Sequence, residues 1–529
     1  MRNFHFPGRS PVYATNGMVA TSHPLAASEA LAVLKNGGNA ADAAIAGAVL
    51  LGVCEPQMTG IGGDCFALVR PAGSDADIVS LNGSGRAPKA IDAETLRSEG
   101  LTKIEPDHPA AITVPGAIDA MCALSEQFGK AGLEAALAPA IKYFEEGVPI
   151  AHRVASDIAP ATESLAVSAA KHYANSGRSY RVGETLALPG QADVLRRVAK
   201  DGRDAFYTGE VADDMLSTLS AMGGLHTAED FASTKASWGA PVSGAYRSRQ
   251  LIEHPPNGQG AVAILLAGIL AQFDIASMDP NSVERMHLEA EATKLAYDAR
   301  NRFLADPDHM QKLDHLLDPN TAKALAGLID PKRAMASPQA LTEDVHRDTV
   351  LITVVDGDGM CVSLIYSIFA TFGSGIASSK FGILFHNRGC GFNLTKGHPN
   401  ELGPEKRPMH TIIPAMTSTD GVVDMVFGVM GGQYQAAGHG HLLSNVIDFG
   451  MDPQEAIDGP RVFADPQSGK LHIEDGISET TCAGLMELGH DLMRPDTAIG
   501  GAQAIALDHA KGLLIGASDP RKDGIAIGY

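Results

Sequence analysis

The chain has 529 residues, 41 of them Lys or Arg and 62 Asp or Glu, which gives a formal charge of −21. Neutralising phosphates requires a cationic surplus, so nucleic acid is excluded as a partner. Hydrophobic residues make up 45% and charged residues 19%, a balance that fits a globular protein with a large core and excludes disordered and fibrous classes.

At roughly 150 residues per domain the length corresponds to three or four domains. No stretch has the composition of a flexible linker, so few, large domains are expected. The first twenty residues, MRNFHFPGRSPVYATNGMVA, show no apolar run before Pro7 and Pro11 that would serve as a secretory signal. The longest uncharged apolar runs, 43–54 and 261–271, fall short of the about 18 to 20 residues that cross a bilayer. A cytoplasmic location without a membrane partner is expected. The six cysteines, Cys54, Cys65, Cys122, Cys361, Cys390 and Cys482, have neither CxxC nor other metal-ligand spacing, so neither a disulfide framework nor a metal site is expected.

In chain order, residues 25–53 read as two Ala-rich helices broken at Gly37-Gly38, with Asn39 placed to cap the second. The strings Gly60-Ile61-Gly62-Gly63-Asp64 and Gly258-Gln259-Gly260 lack the spacing and strand-to-helix setting of a nucleotide site. Residues 284–304 carry Met286, Ala290, Leu295 and Ala296 at helical spacing, the pattern of a surface helix. Residues 331–348 are polar, bracketed by prolines and without either periodicity, which reads as an exposed connection.

The runs TVLITVVD and MCVSLIYSIF around Gly357-Asp358-Gly359 then predict a β-hairpin. A three-residue loop with Gly359 in the left-handed position sets Asp356 opposite Met360 and Thr349 opposite Ser367, whereas a two-residue loop would shift this register by one. Further strand signals fall at 382–385, 410–416 and 422–429, with helical pieces after Gln435. His439-Gly440-His441 cannot close a metal site without a third ligand.

The point that carries chemistry is Asp348-Thr349, where the polar connection meets the first residue of a strand. A hydroxyl is a weak nucleophile without an adjacent base, and cutting before Thr349 would make its own α-amine that base. By itself a Thr opening a strand is more often a β-branched strand former. The stretch 348–376, DTVLITVVDGDGMCVSLIYSIFATFGSGI, however, strongly resembles the start of the small subunit of γ-glutamyltransferases (glutathione hydrolases). Matching strings at 17–44, 55–66, 112–117, 287–303 and 406–416 extend the resemblance over nearly the whole chain.

The resemblance implies an N-terminal-nucleophile hydrolase, an αββα four-layer sandwich of mixed helix and sheet. One precursor would cut itself between Asp348 and Thr349 into a large, helix-rich piece, 1–348, and a small, strand-rich piece, 349–529, which stay together as one structural unit. Carried over by position, Thr349 is the nucleophile, Ser367 a hydroxyl that hydrogen-bonds it, and Gly431 and Gly432 the pair whose N–H groups stabilise the oxyanion. No cofactor or metal is implied, and the processed unit is compatible with a homo-oligomer.

Four substrate-holding positions depart from the family pattern. Ser84 stands where an Arg usually holds the glutamyl α-carboxylate, with Arg86 displaced by two residues. Gly391 replaces the acidic partner of the α-amino group, Phe369 an Asn, and His410 and Thr411 a pair of serines. A site that leaves both charges of an amino acid unpaired binds it poorly. The pattern is similar to the oxamate amidohydrolase branch, in which Arg86 or Arg388 would meet the carboxylate of a small amide. The other readings are a γ-glutamyltransferase or glutathione hydrolase proper, a β-lactam acylase, and an uncleaved, inactive relative.

Overall fold

The computed structural model describes residues 5, 8–73, 77–336 and 348–529, Asp348 by its backbone alone. Two antiparallel sheets of seven strands face each other. The first runs, in spatial order, Val12–Ala14, Leu513–Ser518, Gly501–Asp508, Val422–Met430, Ala415–Thr419, Arg249–Glu253 and Val242–Tyr246. The second runs Ile525–Gly528, Met18–Thr21, Asp348–Val355, Cys361–Phe369, Asp64–Arg70, Val79–Gly83 and Ser237–Gly239.

Strand alternation divides the core into layers. Along the Asp348–Val355 strand, Val350, Ile352 and Val354 face helices Pro24–Lys35 and Ala40–Cys54, while Leu351 meets Phe66, Ile365, Ile412 and Met430 between the sheets. Helices Gly260–Leu270, Val283–Phe303 and Tyr434–Ile447 cover the outer face of the other sheet. This is the αββα sandwich, held as one unit by its two central sheets.

Asn39 caps the helix Ala40–Cys54 as its sequence position predicts. Its side chain accepts from the N–H groups of Ala41 and Asp42 while Asp42 reaches back to the N–H of Asn39. The hairpin has the expected register: Val355 pairs with Cys361 and Val350 with Tyr366, and Gly359 takes φ +84° in the three-residue loop. At the open end a bulge shifts the pairing, so that Asp348 lies opposite Phe369.

Three expectations need correction. The segment 382–385 forms only an isolated bridge, Leu384 to Ala377. Of 410–416 only the end joins the strand Ala415–Thr419, because the preceding backbone is held elsewhere: His410 N–H donates to Asn257, Gln259 Nε2 to the Thr411 carbonyl, and Ile413 N–H to Gln435. Val283–Phe303 is a buried helix, not a surface one, since Arg285, Glu289, Glu291 and Arg300 all lie inside. Of the connection 331–348, residues 331–336 are exposed or half-buried and 337–347 lie outside the described residues.

Replacing Asn39 by Ala is expected to cost about 1 kcal/mol of stability, the typical value of such a cap. A lowered midpoint in urea unfolding, with the slope unchanged, is the measurement.

Candidate active site

Thr349 is buried, and its Oγ1 lies 3.4 Å from the hydroxyl oxygen of Ser367 across the hairpin. Ser367 also receives the N–H of Phe369 at 3.0 Å and Nη2 of Arg388 at 3.1 Å. Arg388 then donates from Nη1 to Thr411 Oγ1 at 3.3 Å, and Thr411 passes its carbonyl to Gln259, which bonds the Gly432 carbonyl as well. Thr349, Ser367, Phe369, Arg388, Thr411 and Gly432 therefore belong to one hydrogen-bonded set.

Gly431 and Gly432 have φ +113° and +54°, and a Cβ at Gly431 would come 2.7 Å from the Cα of Gly500. A side chain at Gly431 would force the backbone to move, and Gly432 lies in the left-handed region that favours glycine. The loop is fixed from below by the buried helix: Arg300 bonds Gln259 Oε1 and Gln433 Oε1, and Tyr297 bonds the Gln433 carbonyl. Among the described residues no hydrogen bond uses the N–H of Gly431 or Gly432. Such a pair of donors suits a developing oxyanion.

Beneath Arg388 lies Asp64, which the sequence reading passed over as part of a glycine string. It sits opposite Ser367 in the sheet, and its Oδ2 is 3.7 Å from Arg388 Nε. Its Oδ1 takes the N–H of Gly85 and its Oδ2 that of His410 Nε2 at 3.1 Å, with His386 Nδ1 at 3.8 Å. All four side chains are fully buried. Burial pulls Arg388 down to about 10, with Asp64 opposing, so it remains a cation at neutral pH. Burial and the neighbouring Arg388 lower His410 to about 3, leaving it neutral. Burial alone would raise Asp64, but His386, His410 and Arg388 outweigh it and keep the carboxylate ionised.

Phe369 has φ +80°, an uncommon conformation for an aromatic residue that costs roughly 1–3 kcal/mol. It brings the Phe369 ring over the guanidinium of Arg388, 4.4 Å away. At Gly391 a Cβ would approach the Met409 carbonyl to 2.5 Å, so the backbone packing here has no room for an acidic side chain. Arg86 is not brought into this set. It is part-exposed and spends its guanidinium on the Glu405 carbonyl at 2.7 Å, Asp306 at 3.5 Å and Asp308 at 3.9 Å. The arginine that does lie against Ser84 is Arg407, whose Nε donates to the Ser84 carbonyl, while Ser84 Oγ accepts from Asn257.

The described residues that could approach a metal together are His287, Glu291 and His490. Their ligand atoms are spent on one another and on neighbours: His287 Nδ1 meets His490 Nε2 at 2.8 Å, and Glu291 holds Lys294 and the Met335 N–H. His439 is paired with Glu253, and His441 with Glu289.

Two facing sheets between helices, with a strand-opening hydroxyl among a second hydroxyl, a buried cation and paired glycine donors, define the class: an amidohydrolase of the N-terminal-nucleophile fold. Residues 26–529 match the gamma-glutamyltranspeptidase family model, and the chain belongs to that family. It is 34% identical to a glutathione hydrolase-like YwrD proenzyme of Bacillus subtilis, over 98% of this chain and 99% of the relative. It is also 34% identical to an oxamate amidohydrolase proenzyme of Klebsiella pneumoniae, with the same coverage. The crystal structure of a cephalosporin acylase from Bacillus halodurans superposes with a TM-score of 0.90 at 36% identity, covering 100% of this chain and 99% of that one.

The buried neutral histidine fixes a pH dependence. An unfolded His titrates near 6.5 and folded His410 near 3, so the folded state binds the proton less readily. The stability His410 contributes is complete above pH 6.5 and is lost as pH falls from there toward 3, by up to about 1.4 kcal/mol per pH unit. In urea unfolding between pH 6.5 and 4 His410 adds this slope to those of His23, His226, His254 and His490, which are lowered in the same way, and His410→Gln should reduce the total by about one proton.

Proposed function

We propose that the protein is a self-processing amidohydrolase whose nucleophile is Thr349 and whose substrate is a small amide bearing a carboxylate beside the scissile carbonyl, as in oxamate. The observation that carries this reading is the position of Arg388: a buried cation separated from Thr349 Oγ1 by one hydroxyl group. In oxamate the carboxylate carbon is bonded directly to the amide carbonyl, about 1.5 Å away. Such a carboxylate stays next to the nucleophile and within reach of Arg388. In a γ-glutamyl amide it lies at the far end of the side chain, where this site offers Ser84, with the adjacent Arg407 engaged by the Ser84 and Lys235 carbonyls, and Gly391 instead of an acid. The oxamate amidohydrolase relative supports the same substrate class.

In processing, Thr349 Oγ1 attacks the carbonyl carbon of Asp348 and the C–N bond breaks. The hydroxyl proton ends on the freed nitrogen, and water hydrolyses the resulting ester to give the Asp348 carboxylate and the Thr349 amine. In turnover that amine takes the proton from Oγ1 as the oxygen attacks the amide carbonyl. The N–H groups of Gly431 and Gly432 receive the oxyanion, ammonia leaves with the proton, and water releases the dicarboxylate. Nothing in these steps calls for a cofactor.

A denaturing gel of the purified protein should show two bands corresponding to 1–348 and 349–529, and Thr349→Ala a single band. Ammonia release from oxamate should exceed turnover of a γ-glutamyl anilide by at least a hundredfold in kcat/KM. A preference for the anilide would refute the substrate assignment, and a single band for the unaltered protein the nucleophile.

A further inference from the structure

The donor count at Ser367 leads beyond substrate binding. A hydroxyl oxygen has two lone pairs. Those of Ser367 face two N–H donors, Phe369 N at 3.0 Å and Arg388 Nη2 at 3.1 Å, the second carrying a full charge, and the Thr349 hydroxyl donates to the same oxygen from 3.4 Å. A hydrogen bond from a cation withdraws electron density from the acceptor more strongly than one from a neutral donor. With both lone pairs engaged, Ser367 is a poor base for the Thr349 proton. The cation instead fixes the oxygen to which Thr349 Oγ1 donates, and its charge favours the negative charge that Oγ1 gains on losing that proton.

We propose that Arg388, besides meeting the substrate carboxylate, is a positioning residue for the nucleophile itself, acting through Ser367, with Asp64 holding the guanidinium in register. The geometry is specific to this role. Asp64 faces the Nε side of Arg388 at 3.7 Å, which leaves Nη2 for Ser367 and Nη1 for Thr411. The Phe369 ring closes one face of the guanidinium, so its plane is fixed against the ring, the carboxylate and the hydroxyl pair. Asp64 is itself anchored by Gly85 and His410 and lies opposite Ser367 in the sheet.

The inference rests on Thr349 as nucleophile, and self-cleavage separates the two roles of Arg388 because it uses Thr349 Oγ1 and contains no substrate carboxylate. Full-length precursor made by cell-free synthesis would be followed by gel. Arg388→Met is expected to lengthen the half-time of cleavage at least tenfold, and Arg388→Lys, which keeps a charged donor, to recover part of that rate. The double variant Ser367→Ala/Arg388→Met should be cut no more slowly than Ser367→Ala alone, as required if Arg388 works through Ser367. Cleavage of Arg388→Met at the unaltered rate, with only the KM for oxamate raised, would overturn the proposal. So would an additive double variant. Should Arg388→Met lack a cooperative melt, Arg388→Gln, uncharged and polar, is read by the same criteria. Thr349→Ala serves as the control: if it is still cut, the nucleophile assignment itself fails, and if it stays whole, the Arg388 series is decisive.

Discussion

A guanidinium without water around it needs a fixed anion nearby, and the site is organised by the way Arg388 meets that need. Asp64 supplies the charge from the neighbouring strand, and breaking such a buried pair typically costs 3–5 kcal/mol. Because Gly85 and His410 occupy the oxygens of Asp64, the carboxylate stays 3.7 Å from Nε and does not draw the guanidinium away from Ser367 and Thr411. His410 is kept neutral first by its burial and then by repulsion from Arg388, against the opposing pull of Asp64. The left-handed backbone of Phe369 is then one of the costs offset by placing an aromatic face on the cation.

The buried helix Val283–Phe303 makes a comparable contribution from the other sheet. Arg300 and Tyr297 reach the loop after Met430 through Gln259 and Gln433, so the two glycines are held by side chains from a distant part of the chain. Each half of the site is completed by a residue remote in sequence. Arg388 and Asp64 are 324 positions apart, and Gln259 and Gly432 are 173 apart.

That separation explains what could be read in advance. The hairpin register was legible because it depends on period two and on a glycine at 359, and the cap at Asn39 because it depends on neighbours three residues away. The burial of Val283–Phe303 was not, because Arg285, Glu289, Glu291 and Arg300 look like solvated residues until Arg285 meets Glu289 and Arg300 meets Gln259. The segment 410–416 has strand-forming residues, but side-chain amides from Gln259 and Gln435 capture its backbone first. Asp64 was hidden because its role is defined by the strand opposite. The choice between Arg86 and Arg388 could not be made from spacing, since Asp306 and Glu405, which claim Arg86, are remote in sequence.

The order of strands has a consequence for the protein after the proposed cut. Five pairings join strands on opposite sides of residue 348: Val12–Ala14 with Leu513–Ser518, Met18–Thr21 with both Asp348–Val355 and Ile525–Gly528, Asp64–Arg70 with Cys361–Phe369, and Arg249–Glu253 with Ala415–Thr419. Two chains interleaved in this way cannot separate as rigid bodies. Dissociation and unfolding become the same event, and the molecularity of refolding changes from one to two. The precursor can regain its fold at any dilution, whereas the cut form can do so only as fast as its two halves meet. Severing one peptide bond would thus leave the native contacts in place while making the native state something the molecule reaches readily only once.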